Sequence, residues 1–348
     1  MTRPLVLLSR RIPPAGMHLL ETAGVRTEII EPDAEKIVDP AAILAAIGGA
    51  DVLLCLLTEP IGEDILAAAT HVRGIANMAV GYDNIAVSTA TAMGIPVSNT
   101  PGVLTDTTAD LTWALLLSAA RRIVEGDAYM RGGHFRLWGP ELMLGADVSP
   151  GGSGARKTLG IVGYGRIGRA VARRAAGFDM RVLAFSPGRT GVEPDGTSYV
   201  TLDELLMEAD FVTIHAPANA ATRGMIGERE FALMKPHTYL INVARGEIVD
   251  ETALVRALRA NTIAGAALDV FEAEPAMAEG LARCPNVVIV PHIGSASTDT
   301  RNRMAAMAAT NAIAHLNGNR APNVVNAGVY ESDAYRARQQ APHGDSRA

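Results

Sequence analysis

The chain has 348 residues, 48% hydrophobic and 20% charged, with 31 lysines and arginines against 37 aspartates and glutamates. At roughly 100–200 residues per domain this length points to two domains, and the apolar fraction excludes disorder for the bulk of the chain. A formal net charge of −6 leaves no global attraction for phosphate backbones or anionic membranes, so neither nucleic acid nor a membrane is an expected partner.

The first apolar run, Leu5-Val6-Leu7-Leu8, is too short for the core of a secretory leader, and no stretch approaches the ~18 apolar residues of a membrane span. It reads as a strand. Further strands are expected at 26–30, 52–57, 75–78 and 96–98, alternating with helices at 14–22, 40–47, 64–69 and 86–93. Continuous Val/Ile/Leu strands joined by amphipathic crossovers imply a parallel sheet with helices on both faces. Cys55 and Cys284 lie far apart with no C-x-x-C spacing, so neither a disulfide scaffold nor a metal site is expected. The expected compartment is the cytoplasm.

A periodic stretch over 107–131, with Leu111, Trp113, Leu115 and Leu116, reads as one long helix between Thr105-Asp106 and Gly132-Gly133. Ser149-Pro150-Gly151-Gly152-Ser153-Gly154 reads as a surface loop. A second strand–helix series follows, with strands at 159–162, 181–185, 211–215, 239–243, 264–268 and 287–290. A last helix over 298–316 is long enough to return to the first domain, and the polar residues 331–348 read as a disordered tail.

The strongest motif is Gly160-Ile161-Val162-Gly163-Tyr164-Gly165-Arg166-Ile167-Gly168, a buried strand running through G-x-G-x-x-G into a helix. Gly163 allows the tight turn, Gly165 leaves room for a pyrophosphate, and Gly168 lets the helix pack closely on the strand. The amides around Arg166 and Ile167 then face the anion at the positive end of the helix dipole. A glycine turn alone is weak evidence. Here the flanking strand and helix, and a second strand ending at Phe185-Ser186, point to a dinucleotide.

Ligands of open parallel sheets sit beyond the carboxyl ends of the strands. Three polar residues follow such ends: Arg245 after Ile241-Asn242-Val243-Ala244, Glu274 after Leu268-Asp269-Val270-Phe271, and His292 after Ile289-Val290-Pro291. Singly, each has an ordinary explanation as a surface cation, a solvated turn residue or a hydrogen-bonded structural histidine. Beside a nicotinamide they form a working set. Hydride reduction of a 2-keto acid needs a cation for the carboxylate and carbonyl, and an acid for the developing alkoxide. Arg245 suits the first role, and His292 the second, with Glu274 orienting the ring and favouring its protonated form.

The strings around Gly163, Arg245, Glu274 and His292 resemble the D-isomer-specific 2-hydroxyacid dehydrogenase family, over most of residues 50–326. Leu104-Thr105-Asp106-Thr107-Thr108-Ala109-Asp110 and Ala119-Ala120-Arg121-Arg122 are most similar to its glyoxylate/hydroxypyruvate reductases. The resemblance implies an α/β architecture of two doubly wound parallel-sheet domains with the active site in the cleft between them. A flavodoxin-like substrate domain would take 1–102 and 294–330, and a Rossmann cofactor domain 103–293. The implied activity is NAD(P)H-dependent reduction of a small 2-keto acid to the D-2-hydroxy acid, with Arg245, Glu274 and His292 catalytic. The resemblance also implies that amides near Val80 and Gly81 bind the substrate carboxylate. Asp269 would hold the nicotinamide carboxamide, while Thr108, Ala216, Val243, Ala244, His292, Gly294 and Ser295 line the cofactor. Residues 132–147, including Trp138, correspond to the arm through which related enzymes form homodimers. On its own terms, Gly81 permits a close backbone approach but equally suits a simple turn before Asp83-Asn84.

Two departures stand out. Residues 150–156 are longer than the turn expected before the cofactor strand, and read as an enlarged surface loop. Ser186 stands where NAD-using relatives carry an acid. Its hydroxyl can donate to phosphate and Arg189 can supply countercharge, so NADP(H) is expected, with use of NAD(H) open. A reading from another class is a nucleotide-sensing interaction protein, since the C-terminal-binding-protein corepressors resemble the same family and keep the triad. The formate dehydrogenase branch has glutamine in place of Glu274, and the longer phosphoglycerate dehydrogenases carry a regulatory domain that this sequence does not show.

Overall fold

A computed structural model describes residues 3–31, 33 and 36–340. The chain divides into two compact units, one formed by the chain up to Leu104 with the chain from Ala296 onward, the other by Thr105–Ser295.

In the first unit β1 (Leu5–Arg10), β2 (Arg26–Glu31), β3 (Val52–Cys55), β4 (Ile75–Asn77) and β5 (Val97–Ser98) pair in the order β2-β1-β3-β4-β5, each neighbour parallel. This is the flavodoxin order. Successive side chains of a strand alternate between faces, so the apolar runs of β1 and β3 supply two cores. Val6, Leu8, Val52 and Leu54 meet the helices Pro14–Thr22 and Thr298–Leu316, the latter through Met304, Ala305, Ala308 and Ala312. Leu7, Leu53 and Cys55 meet the helices Pro40–Ile47, Glu63–Ala68 and Val87–Ala92 on the other face. Local signals start these helices: Asp39 accepts the Ala41 amide (2.9 Å) ahead of Pro40, and Ser297 accepts that of Thr300 (3.3 Å).

In the second unit β6 (Thr158–Val162), β7 (Arg181–Phe185), β8 (Ser198–Tyr199), β9 (Phe211–Ile214), β10 (Tyr239–Asn242), β11 (Gly265–Leu268) and β12 (Val287–Ile289) pair in the order β12-β11-β10-β9-β6-β7-β8. All pairings are parallel. The strand order reverses between β6 and β9, the switch point at which such sheets bind dinucleotides. Leu159, Ile161, Ile241 and Ala267 face the helices Thr105–Ala120 and Arg166–Ala175. Val162, Val212, Leu240 and Leu268 face Leu202–Glu208, Glu228–Leu233 and Glu251–Arg259.

The structure corrects three expectations. The stretch 107–131 is two helices, Thr105–Ala120 and Ile123–Arg131, with Arg122 between them in the left-handed region (φ 53°). The Ala120 carbonyl accepts the Ala146 amide (2.8 Å), and the Arg122 side chain turns to Glu125 (2.8 Å), so the first helix is stopped by a distant segment. The two-residue strand β8 lies outside any apolar run and was not expected. Residues 331–340 are not a disordered tail: a 3-10 turn, Ala327–Glu331, leads into a helix, Asp333–Gln340, fastened by Arg338 to the ends of two other helices. The remainder of that expectation, 341–348, lies outside the described residues. Among the described residues no helix is long and apolar enough to cross a membrane.

Candidate active site

Parallel strands share one carboxyl edge, and in the second unit that edge carries the Gly-rich turn after β6, Ser186 after β7, Ala216 after β9, Arg245 after β10, Asp269 after β11 and His292 after β12. The cradle can be tested for fit. Gly165 caps Arg166–Ala175 without a side-chain bond, so the first-turn amides of Arg166, Ile167 and Gly168 have no intrahelical acceptor. A Cβ on Gly163, at φ 94°, would lie 2.5 Å from the Ala216 nitrogen, and one on Gly168 2.4 Å from the Gly163 oxygen. On Gly165 it would meet nothing within 4 Å. Protein fills the space beside two glycines and leaves open the space beside the third, where free amides converge. That suits a pyrophosphate.

Ser186 lies against this turn. Its Oγ accepts the Tyr164 amide (2.9 Å), which leaves the hydroxyl hydrogen to donate elsewhere. Arg189 is exposed, and its amide donates to the Ser186 carbonyl (3.1 Å) in the turn beyond β7. Among the described residues no hydrogen bond joins its side chain to Ser186.

The chemistry-bearing side chains gather after β10, β11 and β12. Buried Asn242, which the sequence reading passed over, shapes the turn that presents Arg245: it accepts the Ala244 amide (3.1 Å) and donates to the Arg245 carbonyl (2.9 Å). The Arg245 guanidinium donates to the Ala244 carbonyl (2.8 Å). Asp269 is 1% exposed and builds the next turn. Its carbonyl accepts the His292 amide (2.9 Å), and its carboxylate accepts those of Ile293 (2.6 Å) and Gly294 (2.8 Å). Thr108, from the helix Thr105–Ala120, donates to the Gly294 carbonyl (3.0 Å). Burial pushes the Asp269 carboxyl up, against the pull of those amides and of His292.

His292 Nδ1 and Glu274 Oε2 are 2.9 Å apart, and Glu274 Oε1 accepts the Phe271 amide (3.0 Å). Burial works against a charge on Glu274. The bond and charge of His292, the Phe271 amide and the nearby Arg245 outweigh it and hold this carboxyl below its usual range. An ionised Glu274 must accept, so Nδ1 carries a hydrogen and Nε2 is the nitrogen able to exchange a proton with a ligand. The set can bind an organic anion, through Arg245, and give a proton to it, through His292.

Val80 and Gly81 belong to the first unit, in the loop after β4. The carbonyls of this loop are all engaged: Ala79 by the Thr100 amide (2.8 Å), Val80 by Asn99 Nδ2 (2.7 Å) and Gly81 by Asn77 Nδ2 (2.9 Å). The amides of Val80 and Gly81 have no acceptor among the described residues. A loop with tied carbonyls and free N–H groups has donors to offer an anion. The anchors, Asn77 and Asn99, were missed in the sequence, where an asparagine near a strand end looks like any turn residue.

A family profile described as "D-isomer specific 2-hydroxyacid dehydrogenase, NAD binding domain" matches residues 113–294. The glyoxylate reductase of Thermococcus litoralis is 44% identical over 341 residues, covering 95% of this chain and 99% of the relative. That of Korarchaeum cryptofilum is 47% identical over 93% of this chain and 96% of its own. Among solved structures, a protein of Thermus thermophilus superposes with a TM-score of 0.85 at 41% identity, covering 92% of this chain and 99% of that one. The NADPH-dependent glyoxylate/hydroxypyruvate reductase of Sinorhizobium meliloti, in complex with NADP and malonate, has a TM-score of 0.80 at 33% identity, covering 93% and 97%.

Proposed function

Because the chain belongs to the D-isomer-specific 2-hydroxyacid dehydrogenase family, we propose that it reduces a small 2-keto acid of the glyoxylate or hydroxypyruvate type to the D-2-hydroxy acid. The observation that carries this reading is the His292–Glu274 pair at 2.9 Å, with Arg245 near enough to favour the charge on Glu274. When bound, the nicotinamide supplies the hydride. Arg245 holds the substrate carboxylate and draws charge onto the carbonyl oxygen, and the Val80 and Gly81 amides share the carboxylate. His292 delivers a proton from Nε2 to the developing alkoxide, while Glu274 keeps the ring oriented. Asp269 holds the nicotinamide carboxamide, and Thr108, Ala216, Val243, Ala244, Gly294 and Ser295 line the cofactor. On this reading residues 1–102 and 294–330 are the substrate domain and 103–293 the cofactor domain.

The cofactor is NADP(H) by preference, with NAD(H) accepted. The support is a strand end without a carboxylate, a Ser186 hydroxyl free to donate, and a relative bound to NADP. The partner is a second copy of the chain, joined through 132–147. There Leu137 (82% exposed), Trp138 (73%) and Leu144 (65%) present apolar surface to water. Charged replacements of Leu137 and Trp138 should convert a dimer to a monomer in light scattering. The enzyme works in the cytoplasm, a compartment that keeps thiols such as its buried Cys55 and Cys284 reduced.

The test is a panel of 2-keto acids assayed in parallel with NADPH and NADH. Rapid turnover of glyoxylate and hydroxypyruvate, faster with NADPH, is the expected result. Cofactor-dependent assembly without turnover would overturn it in favour of a nucleotide-sensing interaction protein.

A further inference from the structure

The rim beyond β7 holds a second set of charges that the reading above does not use. After Ser186 the chain turns and doubles back, with the Glu193 amide donating to the Thr197 carbonyl (2.8 Å), before it enters β8. This excursion carries Glu193 and Asp195 back onto the cofactor turn. Tyr164, the middle residue of Gly163-Tyr164-Gly165, donates its hydroxyl to Asp195 (2.6 Å) and meets Thr197 Oγ1 (2.8 Å). Arg169, one turn into the helix that starts at the cradle, lies over the Tyr164 ring, 4.7 Å from its centre. Its guanidinium bonds Glu193 Oε1 (2.8 Å), which also accepts the Tyr199 hydroxyl (2.6 Å). Tyr164 is thus fixed three ways: its amide on Ser186, its ring under Arg169, and its hydroxyl on Asp195.

The charges decide the consequence. Two arginines, Arg169 and Arg189, stand on this rim with two acids, Glu193 and Asp195. Asp195 is taken up by the Tyr164 hydroxyl, and Glu193 is the acid bonded directly to an arginine. Glu193 is only 16% exposed, directly paired to Arg169, and within the field of Arg189. The pull of Arg169, then Tyr199, and then Arg189 lowers its carboxyl to about 2, so the charge is present at every working pH. The strand end has no acid, yet the rim is not left purely cationic.

We propose that Glu193 is a specificity-determining residue: an ionised carboxylate which cancels Arg169 on the rim beside Ser186 and so limits how strongly the site prefers a 2′-phosphorylated cofactor. It takes over, from a position on the excursion, part of what an acid at the end of β7 does in NAD-using relatives. This rests on the dinucleotide reading of the cradle, and it concerns the ratio between the two cofactors rather than either affinity. It touches no reacting atom. Its action on a phosphate is through charge, across a partly hydrated rim, where one unit charge alters binding by a modest factor.

The test is Glu193→Gln, which keeps the shape and an acceptor for Tyr199 but removes the charge. Kd values for NADPH and for NADH are measured by quenching of protein fluorescence, without substrate, at low salt and at 0.5 M NaCl. We expect the ratio Kd(NADH)/Kd(NADPH) to rise about 3- to 10-fold over the native protein at low salt, with the gain closing at high salt as screening sets in. Glu193→Ala, which also removes the hydrogen bonds, should shift the ratio by the same factor. A ratio that stays put, falls, or rises equally at both salt concentrations overturns the proposal. Loss of tight binding to both cofactors in the native protein would instead overturn the dinucleotide reading, and a native preference for NADH would overturn the NADP(H) assignment alone.

Discussion

At His292 the backbone sits in the left-handed region (φ 52°), which costs a residue with a side chain on the order of 1 kcal/mol. The three amides that Asp269 accepts, from His292, Ile293 and Gly294, hold the turn in that state. The ring then meets Glu274, whose carboxyl is kept below its usual range and is charged throughout the neutral region. Removing His292 with alanine should lower kcat for reduction by ~10²–10⁴-fold, the usual worth of a general acid. Glu274→Gln keeps the shape but replaces an obligate acceptor with an amide that can also donate, so the ring loses its fixed orientation. Its kcat should fall about tenfold, with KM for the keto acid unchanged. A kcat that holds would separate Glu274 from the chemistry. On the loop after β4, whose amides are proposed to bind the substrate carboxylate, Asn99→Asp exchanges a donor for a carboxylate facing the Val80 carbonyl. KM for the keto acid should rise about tenfold, the effect of one lost hydrogen bond, with cofactor Kd unchanged.

Among the elements, the helix Asp333–Gln340 shows what pattern reading could not reach. Its sequence, DAYRARQQ, has no apolar stripe. It is held by Arg338, whose guanidinium donates to the carbonyls of Met93 (3.1 Å), Ala69 (2.8 Å), Thr70 (3.3 Å) and Val72 (2.9 Å). These carbonyls lie at or just beyond the ends of Glu63–Ala68 and Val87–Ala92, where helices leave acceptors unpaired and the dipole is negative. Burial pulls the Arg338 guanidinium down from its ordinary value. Arg338→Met should cost about 2–3 kcal/mol in urea unfolding, because it strands several partly buried carbonyls. A loss near zero would show that water replaces the guanidinium freely. Strands such as β1, β3, β6 and β9 were legible because an apolar run buried on two faces needs no partner to be recognised, and β8 was not because it has no such run. The Gly-rich turn was legible because its glycines have steric duties at fixed spacing. Arg338, Asn99 and the break at Arg122 act through contacts made far along the chain, and a polar residue gives no periodic sign of its distant partner.

Across the whole molecule, each unit encloses one histidine that must stay neutral. In the first unit His315 is 1% exposed, with Nε2 3.0 Å from Ser98 Oγ and Nδ1 without a partner among the described residues. In the second, His215 is partly exposed as a residue, yet both ring nitrogens are buried and unpaired among the described residues. Burial lowers His315 to about 4 and His215 to about 3, from an ordinary 6.5. Below pH 6.5 the unfolded chain takes up protons that the folded chain refuses, so folding loses stability as pH falls. The loss continues until the folded values are reached. Within that window each histidine steepens the decline by about 1.4 kcal/mol per pH unit. The depressed carboxylates, Glu274 among them, keep their charge to lower pH and lose their contribution later, so the first acid destabilisation belongs to the histidines. His315→Gln keeps a polar atom for Ser98 and removes the titration. Urea unfolding at pH 7.5, 6.5, 5.5 and 4.5 should show a variant less stable than native at pH 7.5, from lost packing, but with a flatter decline below 6.5. Where the two units melt in separate transitions, only the one involving Ser98 and His315 should flatten, and His215→Gln should flatten the other. Parallel declines in native protein and variant would mean that these rings reach water before the chain unfolds.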